Sequence, residues 1–210
     1  MDVIPPHTKS VQVSLQQKMK PIYNKIWELA KPYYLKARPK DIIHIEWIMP
    51  VALSLAKQEN LDDILLVPLA ILHDVGYAGI TTNSMKLETR KVHMAAGAKI
   101  AREVLEQVNY PQEKIDKIVY YVSVHDNWAL GDFKVYEDPI LGVFGDLDFI
   151  WALTEKGFPA FVKIYGKTIQ ETIYYLDQAN GNTKGAPWTC EATKSLYEKE
   201  LKRLKEKYDL

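Results

Sequence analysis

Apolar residues recur at three- and four-residue intervals along nearly the whole chain, and no set of strand-length apolar/polar alternations stands out. The pattern predicts an all-α fold, a helical bundle. A first helix is expected over 14–36, with Met19, Ile22, Ile26, Leu29 and Ala30 as its apolar stripe. Arg38-Pro39-Lys40-Asp41 breaks it, and a second helix follows over 41–58. A third begins near Asn60 or Leu61, with Asn60 as its cap and Asp62 and Asp63 favouring its N-terminus; Pro68 is expected to kink it. Residues 76–88, with Gly76, Gly79, Thr81, Thr82, Asn83 and Ser84, have the composition of a loop. Helices then resume over 89–109 and 112–124, the second introduced by Pro111, and a polar loop spans 127–138. Further helices are expected over 139–154, 159–178 and 190–208, the last two separated by the turn cluster 180–185.

At 210 residues with 47% apolar content the chain is long enough for one domain with a real core. Lys plus Arg total 27 and Asp plus Glu total 27, so no net charge favours a nucleic acid or an anionic membrane surface, and neither is expected as a partner. The single cysteine, Cys190, cannot form an intrachain disulfide, which fits a reducing, cytoplasmic compartment. The longest apolar run, 64–72, is far short of the roughly 18 residues of a membrane span. The first seven residues lack the basic and apolar regions of a signal peptide, so no targeting segment is expected. The charged stretch 194–207, with Leu196, Leu201 and Leu204, reads as a solvated helix docked by one face.

Chemistry concentrates in the histidines. The chain has five, and four fall in a set with carboxylate neighbours: His44, His73-Asp74, His93 and His125-Asp126. His73 and Asp74 end the most apolar helix, which carries both toward the interior. An unpaired buried carboxylate costs several kcal/mol or is neutralised by protonation, so it needs a compensator. A hydrogen-bonded His–Asp pair is one possibility and a divalent cation another. His44 lies among Ile42, Ile43, Ile45, Trp47 and Ile48; His93 opens a helix rich in small residues that permit close helix approach; His125 ends the helix over 112–124. Asp146 and Asp148 sit in the apolar phrase Gly145-Asp146-Leu147-Asp148-Phe149-Ile150-Trp151. Helix bundles build metal sites from such inward side chains, and mixed imidazole and carboxylate ligation suits iron, manganese, zinc, cobalt or nickel.

The order His44, His73-Asp74, His93, His125 and a late Asp, with the phrase Ala70-Ile71-Leu72-His73-Asp74-Val75-Gly76, resembles the HD-domain superfamily of metal-dependent phosphohydrolases over roughly 40–155. The segment beginning at His93 is similar to the one that carries an additional histidine in many members. The resemblance implies an HD-type helical core over 40–155; the helical extension over 1–39 and the helices over 156–210, expected to pack on the same domain, carry no signature of the family. It implies that His44, His73, Asp74 and Asp148 bind one divalent metal, with Asp146 as the alternative to Asp148. His93 and His125 match the extra histidines of two-metal members, in which the residue matching Asp74 bridges the ions. The chain departs from the family where Tyr77-Ala78-Gly79 follows the signature; many members have a basic residue or a further histidine there.

What the resemblance implies is hydrolysis of a phosphomonoester or phosphodiester of a nucleotide or other small metabolite. One or two divalent ions would neutralise the phosphate oxygens and lower the pKa of a water to give a metal-bound hydroxide. Asp74 belongs to that machinery, and Asp126 is a candidate for moving protons, although it also reads as a solvated helix-end residue. Lys86, Arg90 and Lys91 are candidates for holding a substrate phosphate, although solvated helix-start charges are the commoner use of such residues. Trp128, in a polar loop three residues after His125, is the most suggestive cleft aromatic; Tyr136, Phe144, Trp151, Tyr174 and Tyr175 serve either a cleft or the core. An HD-type di-iron oxygenase and a non-catalytic metal-binding regulatory module remain as alternatives.

Overall fold

In the computed structural model, residues 19–80, 86–178 and 188–210 are described. The expected helix start at Ser14, the loop residues Thr81 to Ser84 and the turn cluster 180–185 lie outside them. Among the described residues there is no strand, as the periodicity predicts. The α-helices are α1 (Pro21–Ala37), α2 (Asp41–Gln58), α3 (Asp63–Leu72), α4 (Leu87–Gln107), α5 (Gln112–Val124), α6 (Pro139–Trp151), α7 (Gly157–Tyr165), α8 (Ile169–Gln178) and α9 (Glu191–Lys207). Short 3-10 turns occupy Val75–Tyr77, Asn127–Leu130 and Lys134–Glu137.

Helix α3 is the hub. Its residues from Leu65 to Leu72 are all buried, because it packs against α1, α2, α5 and α6 at once. Its start differs from the sequence expectation: Asn60 lies in the left-handed region (φ 52°) just after α2 ends, and Asp62 is the cap, accepting the Ile64 N–H at 3.1 Å. Pro68 lies inside α3 and cannot donate to the carbonyl of Ile64. That oxygen instead accepts the Tyr110 hydroxyl at 2.8 Å, so the missing helix bond is replaced from the turn before α5.

The single helix expected over 159–178 is two helices. Gly166 ends α7 in the left-handed region (φ 70°), and its N–H donates to the Val162 carbonyl. A reciprocal cap then starts α8: the Glu171 N–H donates to Thr168 Oγ1 at 3.2 Å, and Glu171 Oε2 accepts the Thr168 N–H at 2.9 Å. Helices α7, α8 and α9 close over the end of α6 around Phe149, Phe158, Ile173, Leu176, Tyr197 and Leu204. The larger core lies among α1 to α6, and Trp47 and Leu196 pack against both clusters.

Gly76 fixes the approach of α4. A Cβ there would lie 1.9 Å from the His93 carbonyl oxygen and 2.4 Å from Gly97 N, so backbone lies on backbone. The helix-approach reading of the small residues after His93 thus comes down to Gly97 facing Gly76.

Candidate metal centre

Five helices deliver the candidate ligands to one place. His44 projects from the first turns of α2, His73 and Asp74 terminate α3, His93 lies on the buried stripe of α4, His125 caps α5, and Asp148 sits in α6. They form two groups, His44 with His73 and Asp148, and Asp74 with His93 and His125. In the first, His44 Nε2 and His73 Nε2 lie 3.4 and 3.8 Å from Asp148 Oδ1. In the second, His93 Nε2 and His125 Nε2 lie 3.6 and 3.4 Å from Asp74 Oδ1. The other oxygen of Asp74, Oδ2, is 3.6 Å from His73 Nε2, so this one carboxylate faces both groups.

The imidazoles are oriented from behind. Nδ1 of His73 donates to the Ala70 carbonyl at 3.0 Å, Nδ1 of His125 to Val122 at 2.8 Å, and Nδ1 of His93 to Thr89 at 3.3 Å. A carbonyl can only accept, so these bonds place the proton on Nδ1 and turn Nε2 toward the carboxylates. Burial holds His44 down to about 3 and His73 and His93 to about 4, so all three rings are neutral. Burial also presses on His125, but its hydrogen bond to Asp74 and the charge of Asp126 outweigh this and raise it to about 9. Burial pushes Asp74 up, yet His73, His125, Arg38 and His93 together hold it well below the usual carboxylate range. Burial and the charges of Asp74 and Asp126 raise Asp148 to about 7.

The residues fit divalent cations. Nε2 of His44 and of His73 are buried and have no hydrogen-bond partner, an arrangement that costs energy unless something else occupies the space they face. Three neutral imidazoles, a fourth (His125) whose Nε2 proton a cation would have to displace, and two carboxylates converging within ligand reach are the donor set of a first-row metal.

Asp146 is elsewhere. Two residues apart on a helix point to different sides, and the fully buried Asp146 carboxylate accepts the Thr189 N–H at 2.9 Å and the Thr193 hydroxyl at 2.8 Å. It ties α6 to the start of α9.

A cleft of about 410 Å³ opens onto His44, Asp74 and Asp148. Arg90 lines it, ion-paired to Asp126 at 2.5 Å and lying 4.6 Å above the Trp128 ring, whose Nε1 donates to Asp126 Oδ1 at 3.0 Å. Lys86 and Lys91 are exposed and do not line the cleft; Lys91 lies 3.8 Å from Glu88. Trp151 and Tyr175 also face it, whereas Tyr136 and Phe144 are buried in the core and Tyr174 is exposed and does not line the cleft.

Sequence reasoning missed Arg38, read only as part of a helix break. Its guanidinium pairs with Asp41, reaches 3.8 Å from Asp74 Oδ2 and covers the Tyr77 ring at 4.2 Å. Tyr77 in turn stacks on His93 with centroids 4.0 Å apart. The residue that departs from the family pattern thus serves as the platform for a cation brought from α1. The available signal was a basic residue less than two helical turns before a candidate ligand histidine.

A domain helical throughout its described residues, in which four histidines and two aspartates converge in two groups beside a cleft that reaches His44, Asp74 and Asp148, defines a metal-site protein of the His–Asp type. The family model for the HD domain matches residues 41–150, more than half of the chain, and the chain belongs to the HD-domain family. No curated protein and no solved structure matches it. The matched segment begins with α2 and ends within α6, so it contains every candidate ligand and leaves out Arg38 and α7 to α9.

Proposed function

We propose that the protein is a metal-dependent phosphohydrolase that cleaves a small phosphate ester, with water and ester giving an alcohol and a phosphate. The observation that carries this reading is the Asp74 carboxylate, whose two oxygens face two separate imidazole groups beneath a cleft flanked by Arg38 and Arg90. His44, His73 and Asp148 would hold one cation and His93 and His125 a second, with Asp74 between them. Divalent cations held there would supply Lewis-acid neutralisation of phosphate oxygens and acidify a water.

The chain's own groups do the rest. Arg38 and Arg90 both line the cleft, and guanidinium groups there suit the non-bridging oxygens of a bound phosphate. Tyr77 and Trp128 lie against these guanidinium groups by their ring faces. Both oxygens of Asp126 are engaged, one by Arg90 and one by Trp128, so Asp126 positions Arg90 in preference to carrying a proton. Arg38 remains protonated because Asp74 and Asp41 outweigh its burial.

The test is release of inorganic phosphate from a panel of phosphate esters under anaerobic conditions, with manganese, iron, cobalt, nickel or zinc supplied singly. Activity with at least one metal is expected, together with a loss of about 100-fold or more in Asp74→Asn. Substrate-dependent oxygen uptake with iron and no phosphate release would replace hydrolysis by redox chemistry.

A further inference from the structure

The cleft is far larger than a phosphate needs, and its outer part has a different character from its floor. At about 410 Å³ it has the size of a small-molecule pocket. The floor is charged, and the outer wall is built by α7 and α8, which lie beyond the family segment. There Ala160, Phe161, Ile164, Tyr165 and Tyr175 line the same opening as His44 and Asp148, facing Ile43 of α2. Several of these side chains are unusually exposed for apolar groups: Ile43 43%, Ile164 45%, Tyr175 41%.

Two features fix the chemistry of what this wall accepts. Among the described residues, no serine, threonine, asparagine or glutamine lines the cleft. Of the α7 and α8 side chains in the lining, Ala160, Phe161 and Ile164 carry no hydrogen-bonding group and Tyr165 and Tyr175 one hydroxyl each; Lys40, Asp41 and Lys156 add charged groups to the opening. A sugar or a base edge needs several directional hydrogen bonds at once, and a wall this poor in them leaves much of such a ligand's polar surface desolvated and unpaired. The aromatic rings, moreover, pack on one another. Phe161, Tyr165 and Tyr175 lie within 30° of parallel with centroids 4.8 to 6.3 Å apart, and Trp151 stacks on His44 at 5.0 Å. The three rings of α7 and α8 form a slab. The aliphatic side chains of Ile43 and Ile164 and the small Ala160 complete a surface suited to a flexible apolar chain.

We infer that the substrate of this site is a phosphate ester of an apolar, aliphatic alcohol, whose phosphate lies over the ligand groups and whose chain lies on the shelf of α7 and α8. The inference rests on the phosphohydrolase reading for its reaction. The oxygen of water bonds to phosphorus as the bond to the alcohol oxygen breaks; one proton of the water goes to the departing alkoxide and the other to the phosphate or solvent.

Ethyl, butyl and hexyl phosphate separate binding from chemistry, because their leaving alkoxides have nearly equal basicity. With the metal-loaded protein, kcat/KM is expected to rise about two- to fourfold per methylene, the range set by partial to full burial of a CH₂ group. In Ile164→Ser this slope flattens, while Tyr174→Ser, an exposed change next to the shelf but outside the cleft, keeps it. Glucose 6-phosphate and adenosine monophosphate are poorer substrates than hexyl phosphate. Equal kcat/KM across the alkyl series, or a preference for the sugar or nucleotide ester, overturns the inference. Ethyl-, butyl- and hexylphosphonate, which cannot be hydrolysed at their C–P bond, are titrated in parallel by calorimetry. If no ester is cleaved yet phosphonate affinity climbs with chain length and Ile164→Ser abolishes the climb, the shelf stands and hydrolysis falls. If affinity is flat, the shelf falls whatever the activity.

Discussion

Replacing Gly76 by alanine drives a methyl group into the backbone of α4. The added carbon would stand 1.9 Å from the His93 carbonyl oxygen, 2.4 Å from Gly97 N and 2.8 Å from Gly97 Cα. Ordinary contact begins near 3.4 Å, so the α4 backbone must retreat by about 1.5 Å or the turn after α3 must unwind. None of the obstructing atoms belongs to a side chain that can rotate away. Overpacking costs about 1–3 kcal/mol where side chains yield, and backbone obstruction places this variant at or above about 3 kcal/mol. For a chain of this size that corresponds to a fall of about 6–12 °C in Tm. The retreat also carries His93 away from Asp74, and a displacement of about 1 Å at a reacting geometry costs on the order of 100-fold in rate. Thermal unfolding followed by circular dichroism, with metal content measured on the same sample, reads both effects. Gly76→Ala is expected to unfold earlier and to lose the ion of the His93 group first. A variant with unchanged Tm and full metal content would refute the claim that the glycine exists for this close approach.

Other consequences separate structure from chemistry. Asp146→Ala removes the carboxylate that joins the Thr189 N–H and the Thr193 hydroxyl, the hydroxyl keeping the Cys190 carbonyl at 3.0 Å, a loss of about 1–3 kcal/mol in urea unfolding, and leaves metal stoichiometry intact; Asp148→Ala is expected to show the reverse pattern. Tyr110→Phe removes the donor that replaces the missing Pro68 bond, which leaves the Ile64 carbonyl short of a partner and costs about 1 kcal/mol by the same assay. Partial burial pushes the Asp63 carboxyl up, but hydrogen bonds from Lys20 and Tyr23 outweigh it and hold it below its usual value. Its stabilising contribution is therefore full above the unfolded carboxylate pKa and is lost as pH falls through the lower folded value. The stability difference between wild type and Asp63→Asn should shrink from pH 7 to pH 3; a difference that stays constant would contradict the ion pair's role.

Local patterns carried much of the fold. Helices α2 and α5 coincide with the spans that periodicity predicts, because each is preceded by an unambiguous break, Arg38-Pro39 before α2 and Pro111 before α5. The break between α7 and α8 was written in Thr168-Ile169-Gln170-Glu171, a capping box, but continuous apolar periodicity on either side of Gly166 masks it. Among the site residues, histidines beside carboxylates in apolar surroundings are conspicuous because burying them is costly. Arg38 and the shelf of α7 and α8 were not legible in the same way. Arg38 takes its meaning from Tyr77, Asp41 and Asp74, and the apolar shelf residues look like ordinary core positions until the packing leaves them uncovered. Trp128 and Arg90 gain their roles only through Asp126, which brings α4 and the turn after α5 together.

The shared position of Asp74 is tested most directly by counting ions. After equilibration with manganese or iron and removal of free metal, elemental analysis of the wild type is expected to give about two ions per chain, the number its two ligand groups would hold. His44→Ala and His93→Ala should each lower the count by about one, and Asp74→Ala should deplete both positions while the helical circular-dichroism signal persists. Equal, undiminished counts in all three variants would contradict the account.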